Sequence, residues 1–381
     1  MIARRPRPAR PPSGPLACLV VGVLLTSCSA GSPAATSPAA TSPTAAVSSP
    51  VAGDTGSAVT GSATSPSVTS PSATSPSAAS TPATAAPRTL PAGIGSGAAD
   101  GVFPRTVVHF GGTTVIPARP QRVVVMGTGQ LDGLLLLGVV PVGSAKAAKA
   151  ELVPPYLAQA YPELQPDLAA MADVGLRLEP NLEAVAAVGP DLILSNSAAA
   201  EGIYDQLSQI APTVLAEGTG VNWKQDFPLI ADAVGATEQA QAELDAYHQR
   251  AVDFGARFEG AAPTVSLVRF TSDQTRVFGV ASFAGGIAQD AGLTRPEAQQ
   301  FAGTSQDVAD EQIEVADADW IFAGAQPGTD LAAETAAPLW GTLAAVAAGH
   351  VVTVDDDPWY LNAGPTAANE VLEQLISTLS N

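Results

Sequence analysis

From residue 103 onward the chain alternates between short, continuous runs of Val, Ile and Leu and longer stretches whose apolar residues recur with a helical period. The runs at 122–126, 140–143, 191–195, 213–216, 264–270, 320–323 and 351–355 predict strands, and stretches beginning at Gln130, Leu182, Ala199, Trp223, Ser282, Leu331 and Thr366 predict the helices between them. Strands that are apolar at every position and separated by helices predict parallel sheets covered on both faces. One segment breaks this rhythm. Residues 237–258 are rich in strong helix formers and carry Leu244, Tyr247, Ala251, Phe254 and Phe258 along one side, over about six turns, with Thr237 placed to act as the N-cap. This helix has a strand-and-helix series on either side of it. It therefore reads as a connector, 237–260, between an N-terminal lobe, 103–236, and a C-terminal lobe, 261–381.

Upstream, the composition changes. Residues 28–102 are almost entirely Ser, Pro, Ala, Thr and Gly, with repeated Ala-Thr-Ser-Pro units. Such a stretch has too little apolar bulk to offset its chain entropy, so a disordered tether is expected. At about 5 to 6 Å times the square root of its length, it reaches roughly 50 Å. Ahead of it, Arg4, Arg5, Arg7 and Arg10 precede an apolar run at 16–25 and then small residues, the order of a secretory leader over 1–27. That run is too short to span a bilayer. Leu25-Thr26-Ser27-Cys28 resembles the lipobox of bacterial lipoproteins, which implies acylation (palmitate) at Cys28 and a lipid anchor at the outer face of the cell membrane. Of the two cysteines, Cys18 leaves with the leader, so no intramolecular disulfide is expected.

Charge and missing motifs narrow the function. The formal net charge is −19, and loss of the leader removes four arginines and no acid. A polyanion is repelled by such a chain, which argues against nucleic acid as a partner. No Gly-x-Ser-x-Gly elbow, His-Glu-x-x-His pair or Gly-x-x-x-x-Gly-Lys phosphate loop occurs, so an enzyme is not expected. His109, His248 and His350 are widely separated and no thiolate is available, so no resident metal or cofactor is expected. The acidic run Asp355-Asp356-Asp357 reads as a solvated turn before Pro358.

In their order and spacing, several segments resemble the substrate-binding lipoproteins of iron-siderophore, haem and cobalamin ABC importers, with actinobacterial siderophore binders the most similar. They are Phe103-Pro104-Arg105-Thr106, Leu131-Asp132-Gly133-Leu134, Leu137-Gly138-Val139-Val140-Pro141-Val142-Gly143, Asn181-Leu182-Glu183 and Gly189-Pro190-Asp191-Leu192. Ile210-Ala211-Pro212-Thr213, Ser266-Leu267-Val268-Arg269-Phe270, Asp290-Ala291-Gly292-Leu293-Thr294-Arg295-Pro296 and Val354-Asp355-Asp356-Asp357-Pro358-Trp359 continue the pattern. The resemblance implies an α/β fold of two Rossmann-like lobes joined by one long helix. It also implies a monomeric receptor that captures a ferric siderophore outside the cell membrane and delivers it to an ABC permease with its ATPase. Haem or cobalamin binding, or an envelope interaction role without import, are the alternatives.

In open α/β sheets ligands sit beyond the carboxyl ends of the strands. That rule selects Thr128, Gln130, Asn196 and Trp223 in the first lobe, with Arg177 in the loop before Asn181. In the second lobe it selects Arg269, Phe270, Arg276, Trp359 and Tyr360. Arginine can fork onto the oxygens of a ferric complex, and aromatic rings can cover its organic periphery. Trp320 and Trp340 read as packing residues. The resemblance further implies that one acidic residue on each lobe docks to the permease, matching Glu201 in the first lobe and Glu334, with Asp330 as its rival, in the second.

Overall fold

The computed structural model describes residues 88–218 and 220–380. The leader, Cys28 and most of the expected tether lie outside the described residues. A hairpin of β1 (Arg105–His109) and β2 (Gly112–Ile116) comes first. The first lobe follows as β3 (Val123–Val125), α1 (Gln130–Leu136), β4 (Gly143–Lys146), α2 (Pro155–Ala160), α3 (Gln165–Ala170), β5 (Ala172–Leu176), β6 (Glu179–Pro180), α4 (Leu182–Ala187), β7 (Leu192–Asn196), α5 (Tyr204–Ile210), β8 (Thr213–Ala216) and α6 (Trp223–Val234). Its sheet has the order β6-β5-β4-β3-β7-β8 and is parallel except for β6.

The connector α7 (Thr237–Gly255) runs into a 3-10 turn, Ala256–Phe258. It buries Ala240, Leu244, Tyr247, Ala251 and Phe254, spaced three and four apart, so one stripe of the helix faces the core. The second lobe is β9 (Val265–Phe270), β10 (Thr275–Phe278), α8 (Phe283–Asp290), β11 (Ser305–Val308), β12 (Trp320–Ala325), α9 (Leu331–Glu334), α10 (Ala344–Ala348), β13 (Val351–Thr353) and α11 (Pro365–Leu379). Its sheet order is β11-β10-β9-β12-β13.

This second sheet is mixed, whereas the apolar runs predict a parallel one. β9 returns directly as β10 through a tight turn in which Thr271 N–H donates to Gln274 O, and so short a turn joins only antiparallel strands. Other boundaries shift for local reasons. Pro141 has no N–H for a ladder, and β4 starts at Gly143 rather than 140. The helix expected at Ala199 begins at Tyr204, after Gly202 in the left-handed region interrupts the turn.

The folded chain also begins before residue 103. Arg88 pairs with Asp290, Gly95 bridges to Val108, and the Ser96 N–H and hydroxyl both donate to Asp232. Asp100 accepts from the backbone N–H groups of Thr237 (2.7 Å) and Glu238 (2.9 Å) and from the Thr237 hydroxyl. Thr237 is thus the first residue of the connector and not its cap. The carboxylate that satisfies the helix start comes from the segment just upstream of the first lobe.

One apolar cluster runs without a break from Val123 and Leu134 of the first lobe, through Trp223, Leu244 and Phe254, to Val265, Phe322 and Leu372 of the second. The outer faces of the two sheets carry separate clusters, around Val124 and Ile193 and around Val268 and Ile321. Behind the cleft, Lys224 on α6 donates to Asp290 on α8, and the Tyr247 hydroxyl of the connector reaches the same carboxylate. Both members of the Lys224–Asp290 pair are buried. The lobes are therefore tied by packing and by charge as well as by the chain crossing. Among the described residues no helix is long and apolar enough to cross a membrane.

Candidate functional site

A cavity of about 550 Å³ opens between the lobes, lined from one side by the ends of β3, β4, β5 and β7 and from the other by β10, α8 and residues 359–363. Thr128, Arg177, Asn196, Trp359 and Tyr360 line it, so five of the ten residues selected from sequence come together there. Lys146, Phe278, Phe283, Thr304 and Asn362 join them.

Arg177 follows β5 and is half-buried. Its Nη2 donates to Asn362 Oδ1 at 2.6 Å, and Nη1 lies 3.5 Å from Thr128 Oγ1. Asn362 in turn donates to Asp357 Oδ1 at 3.0 Å. A chain of hydrogen bonds thus crosses the floor of the cleft from the first lobe to the second. Nε of Arg177 is buried and has no hydrogen-bond partner among the described residues. Desolvation lowers the guanidinium pKa, opposed by the fields of Tyr156 and Asp357. Burial raises the Asp357 carboxyl to about 6, helped by Asp355 and Asp356 and opposed by Arg177 and Arg269. Lys146, at the end of β4, pairs with Asp173 at 2.8 Å in a half-exposed contact.

The remaining five selected residues do not reach the cavity lining. Gln130 is buried, accepts from Gly127 N at 2.7 Å and donates to Ser195 O at 2.7 Å, which pins the ends of β3 and β7 together. Trp223 packs edge-on against Tyr247 of the connector and Phe283 of α8. Arg269 forms a two-pronged pair with Asp356 at 2.6 and 2.7 Å, with the two side chains 9% and 6% exposed. Burial raises the Asp356 carboxyl, which the Arg269 contact opposes. Phe270 packs on Trp340 in the outer core, and Arg276 pairs with Asp307 across β10 and β11. Asp356 is therefore a buried ion-pair partner, a correction to the solvated turn predicted for the acidic run.

Trp359 contributes an edge to the cavity rather than a free face. It is 2% exposed, stacks on Phe322 with ring centres 5.0 Å apart, and donates from Nε1 to Gln374. Tyr360 donates its hydroxyl to Phe322 O and lies against Phe278 at 4.8 Å. Lys146 and Phe278 are not selected from sequence because the strand expected at 140–143 lies at Gly143–Lys146 and β10 has no apolar run to announce it. Extending β4 by three residues, or recognising β10, puts each at a strand's carboxyl end. Asn362 had no such signal.

Glu201 is exposed in the turn before α5, and Glu334 is half-buried at the end of α9. Asp330 accepts from Ala332 and Ala333 N–H groups as the cap of α9, which commits it to that helix. Among the described residues, no three His, Cys, Asp or Glu side chains gather to hold a metal ion.

Two α/β lobes on a single connecting helix, with a cavity at the carboxyl ends of their strands, define a bilobal solute receptor. The chain belongs to the periplasmic binding protein family, whose sequence pattern matches residues 123–358. It is 36% identical over 289 residues to a probable siderophore-binding lipoprotein of Bacillus subtilis, YfiY, covering 71% of this chain and 86% of that protein. The Fe(3+) dicitrate-binding periplasmic protein FecB of Escherichia coli is 27% identical over 277 residues, 71% of this chain and 88% of its own. Among solved structures, Staphylococcus aureus SirA complexed with staphyloferrin B superposes with a TM-score of 0.63 at 29% identity, covering 72% of this chain and 98% of SirA.

Proposed function

We propose that this protein captures a ferric siderophore outside the cytoplasmic membrane and passes it to an ABC importer. The observation that carries this reading is the cavity of about 550 Å³ with Arg177 at its floor, in a chain whose relatives include a siderophore-binding lipoprotein. The volume lies in the range of small-molecule sites. An arginine without a carboxylate in contact is suited to the negatively polarised oxygens around chelated iron. Thr128 and Asn196 add neutral polar contacts, and Trp359 and Tyr360 add apolar surface. Iron here is cargo, carried inside its chelator.

Because one stiff helix joins the lobes and a single apolar cluster runs through both, ligand entry calls for only a small rotation of the lobes. Lipidation at Cys28 would hold the protein at the membrane, while Glu201 and Glu334, one on each lobe, would present acids to the permease. The test is titration of the full chain, followed by tryptophan fluorescence and calorimetry, with ferric hydroxamates, ferric catecholates, ferric citrate, haem and cobalamin. Saturable binding of at least one ferric chelate, with weaker binding of its iron-free form, is expected. Binding of haem or cobalamin alone would replace this reading with the alternative one.

A further inference from the structure

The two walls of the cavity differ in kind. The first lobe brings the cations, Arg177 and Lys146, with one exposed acid, Glu179, at the rim, whereas the second brings the rings of Phe278, Phe283 and Tyr360 and the edge of Trp359. The polar atoms of the Tyr360 and Trp359 side chains on that wall are committed elsewhere. The Tyr360 hydroxyl is held by Phe322 O at 2.7 Å, and Trp359 Nε1 by Gln374 at 2.9 Å. Residues 261–381 contain three arginines and no lysine. Each arginine is engaged: Arg269 by Asp356, Arg276 by Asp307, and Arg295 by the carbonyls of Val265 and Phe278. Against these stand sixteen Asp and Glu residues, so the field of the second lobe repels an anion. Thr304 and Asn362 are its neutral polar groups at the cavity, and Asn362 is occupied by Arg177 and Asp357.

We propose that the ligand is two-faced, with an anionic, oxygen-bearing pole held by Arg177 and Lys146 of the first lobe and an aryl or alkyl pole laid on the Phe278, Tyr360 and Phe283 wall of the second. This rests on the ferric-chelate reading above and narrows it. A uniformly charged complex leaves the aromatic wall in contact with polar oxygens and places negative charge beside the acidic lobe. A uniformly neutral complex leaves the half-buried Arg177 guanidinium, whose Nε has no partner among the described residues, without an anion. Lys146 can join Arg177 because its partner Asp173 is half-exposed and the pair can exchange. The ligand therefore binds in a single orientation.

The experiment uses the full chain and a matched pair of ferric chelates that share one carboxylate- and hydroxyl-bearing iron-binding end, one of them also carrying a phenyl or short acyl substituent. Calorimetry should give a Kd about tenfold or more lower for the substituted chelate. Phe278→Ala should remove most of that difference, with Phe278→Leu, which keeps apolar bulk, checking that an unfolded variant is not being read. Arg177→Gln should weaken both chelates by a similar factor. Equal affinity of the two chelates for the unaltered protein, or indifference of both to Arg177→Gln, overturns the two-faced ligand while leaving ferric-chelate capture standing. Failure of both chelates and of ferric hydroxamates and catecholates overturns the ferric-chelate reading, and this inference falls with it.

Discussion

Asp132, on the first helix of the first lobe, accepts a hydrogen bond at 2.8 Å from the backbone N–H of Thr366, the second residue of the last helix. Its other oxygen accepts from Ala367 N–H and from the Tyr156 hydroxyl. Gly364 lies so close that a Cβ there would sit 2.6 Å from Asp132, so the approach depends on glycine. One buried carboxylate thus caps the start of α11 across the lobe boundary. Asp132→Ala should lower the unfolding free energy by about 1 to 3 kcal/mol, the range of a lost cap plus exposed backbone donors. Urea unfolding with an unchanged m-value would report this.

The same residue gives a pH signature. Burial raises its carboxyl from 3.8 to about 6, although the backbone hydrogen bonds from Ala367 and Thr366 oppose it. Between those values the folded chain keeps a proton that the unfolded chain has released. Its contribution to stability is therefore largest at acid pH and is lost as the pH rises through 6. Asp132→Asn should remove this fall, measured as melting temperature against pH from 4 to 7.

His109 should act in the opposite sense. Its Nδ1 accepts from Gly111 N–H (3.1 Å) and Leu215 N–H (3.3 Å), which leaves Nε2 to donate to Thr114 Oγ1. Burial pushes the imidazole down from 6.5 to about 4. The unfolded chain takes up the proton first, so this contribution is full above pH 6.5 and lost as pH falls towards 4. His109→Gln should flatten the acid limb of the stability profile. A limb unchanged by the substitution would show that the ring titrates freely.

The Arg269–Asp356 pair should matter to folding more than to affinity. Arg269→Ala leaves a buried carboxylate uncompensated, at a cost of about 3 to 5 kcal/mol. Arg269→Met combined with Asp356→Leu should recover most of that loss. Chemical denaturation of the two variants, with ligand titration of whichever stays folded, separates the roles.

Docking and anchoring are tested in cells. Glu201→Ala should reduce ferric-chelate uptake while the purified protein keeps its Kd, since the residue is exposed and outside the cavity lining. Cys28→Ala should move the protein out of the membrane fraction and abolish palmitate labelling. Labelling that persists would put the acyl group elsewhere.

Much of the architecture was legible in the chain itself, because strand and helix periods follow from local side-chain chemistry. The apolar runs located β7, β8, β9 and β12 to within a residue or two, and the stripe from Leu244 to Phe254 located the connector. The family resemblance rested on the same segments in the same order. The rule that ligands meet strand ends found Thr128 and Asn196, while Arg177 was selected from its loop before Asn181 and the structure shows it to follow β5. What a side chain does once there was settled by its neighbours in space. Arg269 and Arg177 are both arginines at strand ends. Asp356, 87 residues away in the chain, neutralises the first, while the second meets neutral acceptors: the amide of Asn362, the Leu361 carbonyl and the Thr128 hydroxyl. Likewise, Thr237 reads as a cap from its own sequence, yet Asp100 reaches the helix start first. Pairings of this kind join residues far apart in sequence, and the local periods that specify strands and helices carry no record of them.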